Sequence, residues 1–98
     1  MNHITITGTL ADKPTLQTND AGESVATALL LDWRSKKVGG ANEFPLVAYG
    51  DRADWFAKFC KEHTPLIVFG DVTVNRGKLL VSVQSAAYQS GAKNSKEE

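Results

Sequence analysis

Ser24-Val25-Ala26-Thr27-Ala28-Leu29-Leu30-Leu31-Asp32-Trp33, Arg34-Ser35-Lys36-Lys37-Val38-Gly39-Gly40-Ala41-Asn42 and Glu43-Phe44-Pro45-Leu46-Val47-Ala48-Tyr49-Gly50 follow one another without interruption, and the fold reading turns on them. The first run is apolar, long enough for a strand, and has no helix stop signal of its own. The second is a turn, because its Gly pair allows positive φ and brings no side chain to pack. The third returns as a second strand, so the whole predicts a β-hairpin. Its tip carries Arg34, Lys36 and Lys37 with no acid before Asn42, and Trp33 and Phe44 stand at its base. Charge that tracks phosphates beside rings that stack on bases is what a single-stranded nucleic-acid site requires.

Upstream, Asn2 to Leu10 alternates strictly, with Ile4, Ile6, Gly8 and Leu10 on one face and His3, Thr5, Thr7 and Thr9 on the other. That is the period of a half-buried strand, and Gly8 in its middle predicts a bend or a close backbone approach. Ala11-Asp12-Lys13-Pro14 turns the chain, Thr15 to Thr18 resumes the strand, and Asn19-Asp20-Ala21-Gly22 is a turn cluster leading into the hairpin. Downstream, Asp51 is suited to cap a helix, Asp54 suits its positive end, and Ala53, Phe56, Phe59 and Cys60 recur at helical spacing. The expectation is a helix over 52–61, ended by Thr64-Pro65. Leu66 to Val74 and Leu79 to Tyr88 read as strands around a tight Asn75-Arg76-Gly77-Lys78 turn. The order β-β-β-α-β-β, with the helix between strands 3 and 4, predicts an all-β OB-fold: a five-stranded Greek-key barrel over residues 1–88. Residues 89–98 read as a polar, disordered tail.

Composition narrows the function. The formal net charge is zero, which argues against a uniformly basic polyanion binder. Distribution answers this in part: Arg34, Lys36, Lys37, Arg76 and Lys78 fall in two hairpin tips, while Asp12, Asp20 and Glu23 gather in other connections. The single Cys60 rules out an internal disulfide and suits a reducing cytoplasm. No apolar run approaches the roughly 20 residues of a membrane helix, and the N-terminus has neither signal- nor transit-peptide character. Two widely spaced histidines and one cysteine give no metal pattern. No nucleophile has the glycine-rich or acid/base neighbours that covalent catalysis requires, so neither an enzyme nor a cofactor is expected.

Several ordered stretches resemble bacterial single-stranded DNA-binding proteins. Asn2 to Leu10 followed by Asp12-Lys13-Pro14, Ala21-Gly22 and Val25-Ala26-Thr27 is similar to that family's opening. Val47-Ala48-Tyr49-Gly50-Asp51-Arg52-Ala53 resembles its third strand and helix start, and Val68-Phe69-Gly70 its fourth strand. Leu31-Asp32-Trp33-Arg34-Ser35 and Phe44-Pro45-Leu46-Val47 look more like the short primosomal replication protein PriB. The resemblance covers about residues 1 to 88. It implies an OB-fold, sequence-non-specific single-stranded DNA binding in replication, restart or repair, a homo-oligomer (dimer or tetramer), and contacts with replication proteins. By position it implies stacking at Tyr49 and near Phe44, and a DNA contact at Arg34. Three features depart from the family: the final hairpin is short, the chain ends Lys93-Asn94-Ser95-Lys96-Glu97-Glu98 without an apolar tip, and the net charge is zero. Reduced affinity and loss of tail-mediated partner recruitment are therefore expected.

The residues leave alternatives open. Trp33 shares parity with Thr27, Leu29 and Leu31, opposite Ala26, Ala28 and Leu30; one face is core and the other exposes apolar groups. Trp33 is then a stacking platform, worth about 1–3 kcal/mol per base, or an interface anchor. Phe44 and Tyr49 have opposite parity, so without a bulge near Pro45 one of them is core. Ile67 and Phe69, opposite Leu66 and Val68, suggest a partner subunit, and the first strand offers an edge for pairing. Arg34, Lys36, Lys37, Arg76 and Lys78 are phosphate contacts or solvated tips. The rival functional classes are an interaction or oligomerisation module on the same barrel, and RNA binding.

Overall fold

Strand β1 (Ile4–Leu10) realises the alternation, with Ile6 and Leu10 buried and Thr5 and Thr7 exposed. The computed structural model describes residues 2–33 and 40–89. Strand β2 (Thr15–Thr18) follows after a break whose Pro14 is buried. Strands β3 (Ser24–Trp33) and β4 (Ala41–Tyr49) form the expected hairpin, with β4 starting two residues before the expected Glu43. Helix α1 (Asp51–Phe59) leads to β5 (Pro65–Asn75) and β6 (Lys78–Tyr88), which meet in a two-residue turn. Arg76 and Gly77 in that turn have φ of 54° and 77°, positive at both central positions as the twist-matched type I′ hairpin turn requires.

The strand order is β1-β5-β6-β4-β3-β2, and a further pairing of β1 with β3 closes the sheet into a barrel. Both β1 and β2 pair with β3, Thr9↔Leu31 and Leu10↔Leu30 on one side of the break and Thr15↔Thr27 to Thr18↔Ser24 on the other. They therefore act as one interrupted strand. The architecture is the expected five-stranded OB barrel, with α1 between its third and fourth strands. The β4–β6 seam within it is short: the two strands run parallel through Leu46↔Val81 and Val47↔Ser82.

Gly8 is where the barrel folds onto itself. A Cβ there would collide with the Leu31 carbonyl, so the close approach expected from this glycine is met. At the second crossing the register of β5 on β6 passes from Phe69↔Ser85 to Gly70↔Val83, which leaves Gln84 as a bulge. Arg52 of α1 donates Nε–H to the Gln84 carbonyl, and so occupies an acceptor at the disrupted ladder.

The core collects Ile6, Leu10, Ala26, Leu30, Leu46, Ala48, Leu66, Val68, Val81 and Val83, with Ala53, Phe56 and Cys60 from the helix end. Trp55 meets Phe56 edge-on at 5.3 Å and lies 5.8 Å from Tyr88, whose hydroxyl donates to the Phe59 carbonyl at 2.7 Å. Asp51 is the first helical residue rather than the cap. Gly50, at φ 63°, takes the cap position with no side-chain bond, because the chain leaves β4 through a left-handed turn one residue earlier than the Asp signal implies. The helix also stops at Phe59, short of Lys61. Cys60 is extended and buried, and the Lys61 N–H donates to the Thr64 Oγ1 at 3.0 Å to form a turn instead. At the far end, Gln89 is held rather than free: its Nε2 donates to the carbonyls of Gly8 and Leu66, each at 3.2 Å. Residues 90–98 of the expected tail lie outside the described residues.

Candidate nucleic-acid interface

The β3–β4 register is continuous, from Val25↔Tyr49 to Trp33↔Ala41, with no bulge at Pro45. Every parity question raised by the sequence is decided by this fact together with burial. Ala26 and Leu30 are buried, so their face is the core and the face of Thr27, Leu29, Leu31 and Trp33 points out. Phe44, opposite Leu30, lies on the inner face and packs against the core. Tyr49 lies on the outer face and is 44% exposed.

Trp33 is 63% exposed, and across the ladder it faces only the small Ala41. Its Nε1–H donates to Thr9 Oγ1 of β1 at 3.2 Å. The indole is thus tethered by its one polar atom while much of its apolar surface meets solvent. A packed core tryptophan is buried instead; this arrangement leaves a ring surface for a ligand. Tyr49 stands at the other end of the same face, opposite a residue eight positions from Trp33. At ~3.3 Å per residue the two rings are about 26 Å apart and cannot share one base. Between them lies a strip of Thr27, Leu29 and Leu31 opposite Val47, Pro45 and Glu43.

Arg76 and Lys78 are exposed at the β5–β6 turn. Because β6 runs parallel to β4 with Val81 level with Leu46, the start of β6 points toward the Ala41–Glu43 end of β4. The turn and Trp33 therefore occupy the same end of the barrel. Val74 beside that turn is 65% exposed, with Leu79 and Leu80 also exposed, an apolar margin that strand periodicity did not single out because Val74 and Leu79 have core parity. Arg34, Lys36 and Lys37 lie outside the described residues. Glu43 brings an acid to the strip itself, opposite Leu31.

A second outer face is formed by β1, β5 and β6. Thr5 pairs with Phe69 and Thr7 with Ile67, which pair in turn with Ser85 and Ala87. Ile67 and Phe69 are half-buried among these small and hydroxyl neighbours. Residues Ile4 to Gly8 of β1 pair with β5 on one side, while pairing with β3 begins only at Thr9, so among the described residues the other edge of this half-strand is open.

Among the described residues no group of three His, Cys, Asp or Glu side chains could hold a metal, and no helix is long and apolar enough to cross a membrane. Burial pushes the Cys60 thiol up to about 11, a protonated group without nucleophilic character at neutral pH.

No protein-family model and no curated protein matches the chain. Solved structures do. The chain is similar to the SSB domain of a Synechococcus sp. protein, with a TM-score of 0.79 at 15% identity over 90% of this chain and 96% of that one. It is similar to the wild-type single-stranded DNA binding protein from Thermus aquaticus, with a TM-score of 0.77 at 18% identity over 91% of this chain and 40% of that one. A deletion mutant of the Thermus protein gives 0.77 at 19% identity, covering 91% and 41%. The chain spans about two fifths of the Thermus protein and nearly all of the Synechococcus domain. The fold implied by the sequence resemblance is the fold observed.

Proposed function

We propose that this chain binds single-stranded DNA without sequence preference along the outer face of β3 and β4. The observation that carries the proposal is Trp33: largely exposed, tethered through Nε1 to Thr9, and unopposed across the ladder. Bases stack on Trp33 and, farther along the strip, on Tyr49, while Phe44 remains core. Arg34, Lys36 and Lys37 of the β3–β4 connection, with Arg76 and Lys78 of the β5–β6 turn, contact phosphates. Similarity in fold to single-stranded DNA binding proteins and an SSB domain supports the same reading. The role is that of a binding protein in DNA replication, restart or repair, acting without catalysis or cofactor in the cytoplasm and in contact with replication proteins. Self-association through the β1–β5–β6 outer face and the open β1 edge is part of the proposal, with a dimer as the smallest unit.

The test is a titration of intrinsic tryptophan fluorescence with oligo-dT at two salt concentrations. Trp33 is the exposed indole and Trp55 is half-buried in the helix cluster, so the quench reports on Trp33. Quenching that weakens with salt is the expected result, since phosphate contacts release counterions. Oligo-U in parallel tests preference for DNA over RNA. A folded protein that binds neither at low salt has only the interaction face left as its function, a reading favoured by the zero net charge and by Glu43 on the strip.

A further inference from the structure

A third surface, at the helix end of the barrel, is used by none of this. The last turn of α1, the segment after it and the β1–β2 break border an open groove of about 390 Å³ lined by Lys13, Ala57, Lys58, Phe59, Cys60 and Lys61. Lys13, Lys58 and Lys61 are exposed on its rim, and Phe59 is 51% exposed. Glu62 Oε2 lies 3.4 Å from His63 Nε2, and among the described residues no carboxylate bridges to the three lysines. Buried Cys60 contributes an apolar, uncharged floor.

We propose that this groove docks an acidic peptide segment of a partner protein that carries an aliphatic side chain, the carboxylates meeting Lys13, Lys58 and Lys61 and the aliphatic group lying against Phe59 and Ala57. Charge complementarity selects the acidic partner: three cations converge on one concavity without a neutralising acid in its lining. The volume falls in the range of small-ligand pockets, a few hundred Å³, and so suits a side chain or two rather than a folded surface. Phe59 distinguishes a peptide from a nucleic acid. Lys58 Nζ lies 5.5 Å from its ring centroid, and Trp55 is tilted against it at 6.3 Å. A ring with a cation over it and an indole beside it is a poor platform for a stacked base, which needs an open face, but an aliphatic group can pack at its edge. The groove also adjoins the end of the barrel away from Trp33 and the β5–β6 turn.

Fluorescence anisotropy tests this with the full chain and a labelled octapeptide of five Asp, two Leu and one Gly, at low salt. Binding is expected, with at least a tenfold loss for the Lys58→Glu/Lys61→Glu double variant and a severalfold loss when the two Leu become Gly. The peptide with Asn in place of Asp should not bind. Affinity of the same double variant for oligo-dT should stay within twofold of the parent. The substituted lysines are exposed, so circular dichroism of the variant should match the parent. Failure of the acidic peptide to bind, or binding indifferent to the charge reversal, overturns the proposal. A loss of oligo-dT affinity in the double variant overturns it differently, by assigning the groove to a nucleic-acid path. Because peptide and oligo-dT are measured separately, failure here leaves the β3–β4 proposal standing, and the converse holds.

Discussion

The two outer faces of this barrel are built from the same material and presented differently. On β3–β4 the aromatic end residue faces alanine and stands well into solvent; on β1–β5–β6 the aromatic Phe69 sits between Thr5 and Ser85 and is half-covered. An exposed ring held by one hydrogen bond can accept a ligand on its face. A ring level with its neighbours makes a smooth patch, suited to another protein surface. Apolar content alone does not separate these roles. What separates them is what lies across the ladder from each ring.

Charging the smooth face should have the largest effect. Ile67→Asp with Phe69→Asp should convert the proposed oligomer to monomer, read by light scattering at micromolar concentration, while quenching of Trp33 by oligo-dT persists. A parent that is already monomeric removes the assigned role of that face. Next in size is the inner against the outer row of the hairpin. Phe44→Ala should cost about 2–3 kcal/mol of stability in urea unfolding, below the ~3–5 of a fully buried Phe. Tyr49→Ala should change stability by less than about 1 kcal/mol and act on DNA affinity instead. Equal destabilisation by both would mean that the inner and outer assignments are wrong.

Trp33→Ala should weaken oligo-dT binding by about 1–3 kcal/mol with the salt slope unchanged. Lys36→Ala with Lys37→Ala should flatten that slope by about 0.7 per lost contact, for every sequence alike. A slope untouched by the double change would make the tip a solvated loop. The smallest effect concerns the thiol. With Cys60 raised from 9.0 to about 11 by burial, its contribution to stability is present below pH 9 and falls away as pH rises through about 11. Iodoacetamide at pH 8 should therefore label Cys60 far more slowly in the folded protein than in urea.

Much of the fold is legible in the order of residues, for physical reasons. A strand with one wet face must alternate, which places Ile4, Ile6 and Leu10 inside; Gly77 marks a turn because few other residues tolerate its φ. The faces of β3 cannot be ranked in this way, since Ala26, Ala28 and Leu30 compete with Leu29 and Leu31 on nearly equal apolar terms, and only closure of the barrel decides which set is enclosed. Phe44 and Tyr49 depend on a register that parity cannot supply. The Gln84 bulge leaves no sign in composition, and the cap signal at Asp51 is overridden by the backbone turn at Gly50. The groove at the helix end is invisible in the sequence because Lys13 is brought to Lys58 and Lys61 only by folding.

The short β4–β6 seam has a consequence for how the molecule assembles. The β3–β4 and β5–β6 hairpins join residues close in the chain, and such units form within microseconds. Pairing β1 with β5 instead brings together residues roughly sixty positions apart, and loop-closure entropy opposes each such step until the contacts that reward it are made. The two residue pairs that join Leu46 and Val47 to β6 contribute little to drive closure on their own. The barrel should therefore close late, as two preformed hairpins drawn together around α1. In native-state hydrogen exchange, the amides along that seam should open at a lower free energy than those at the centre of either hairpin.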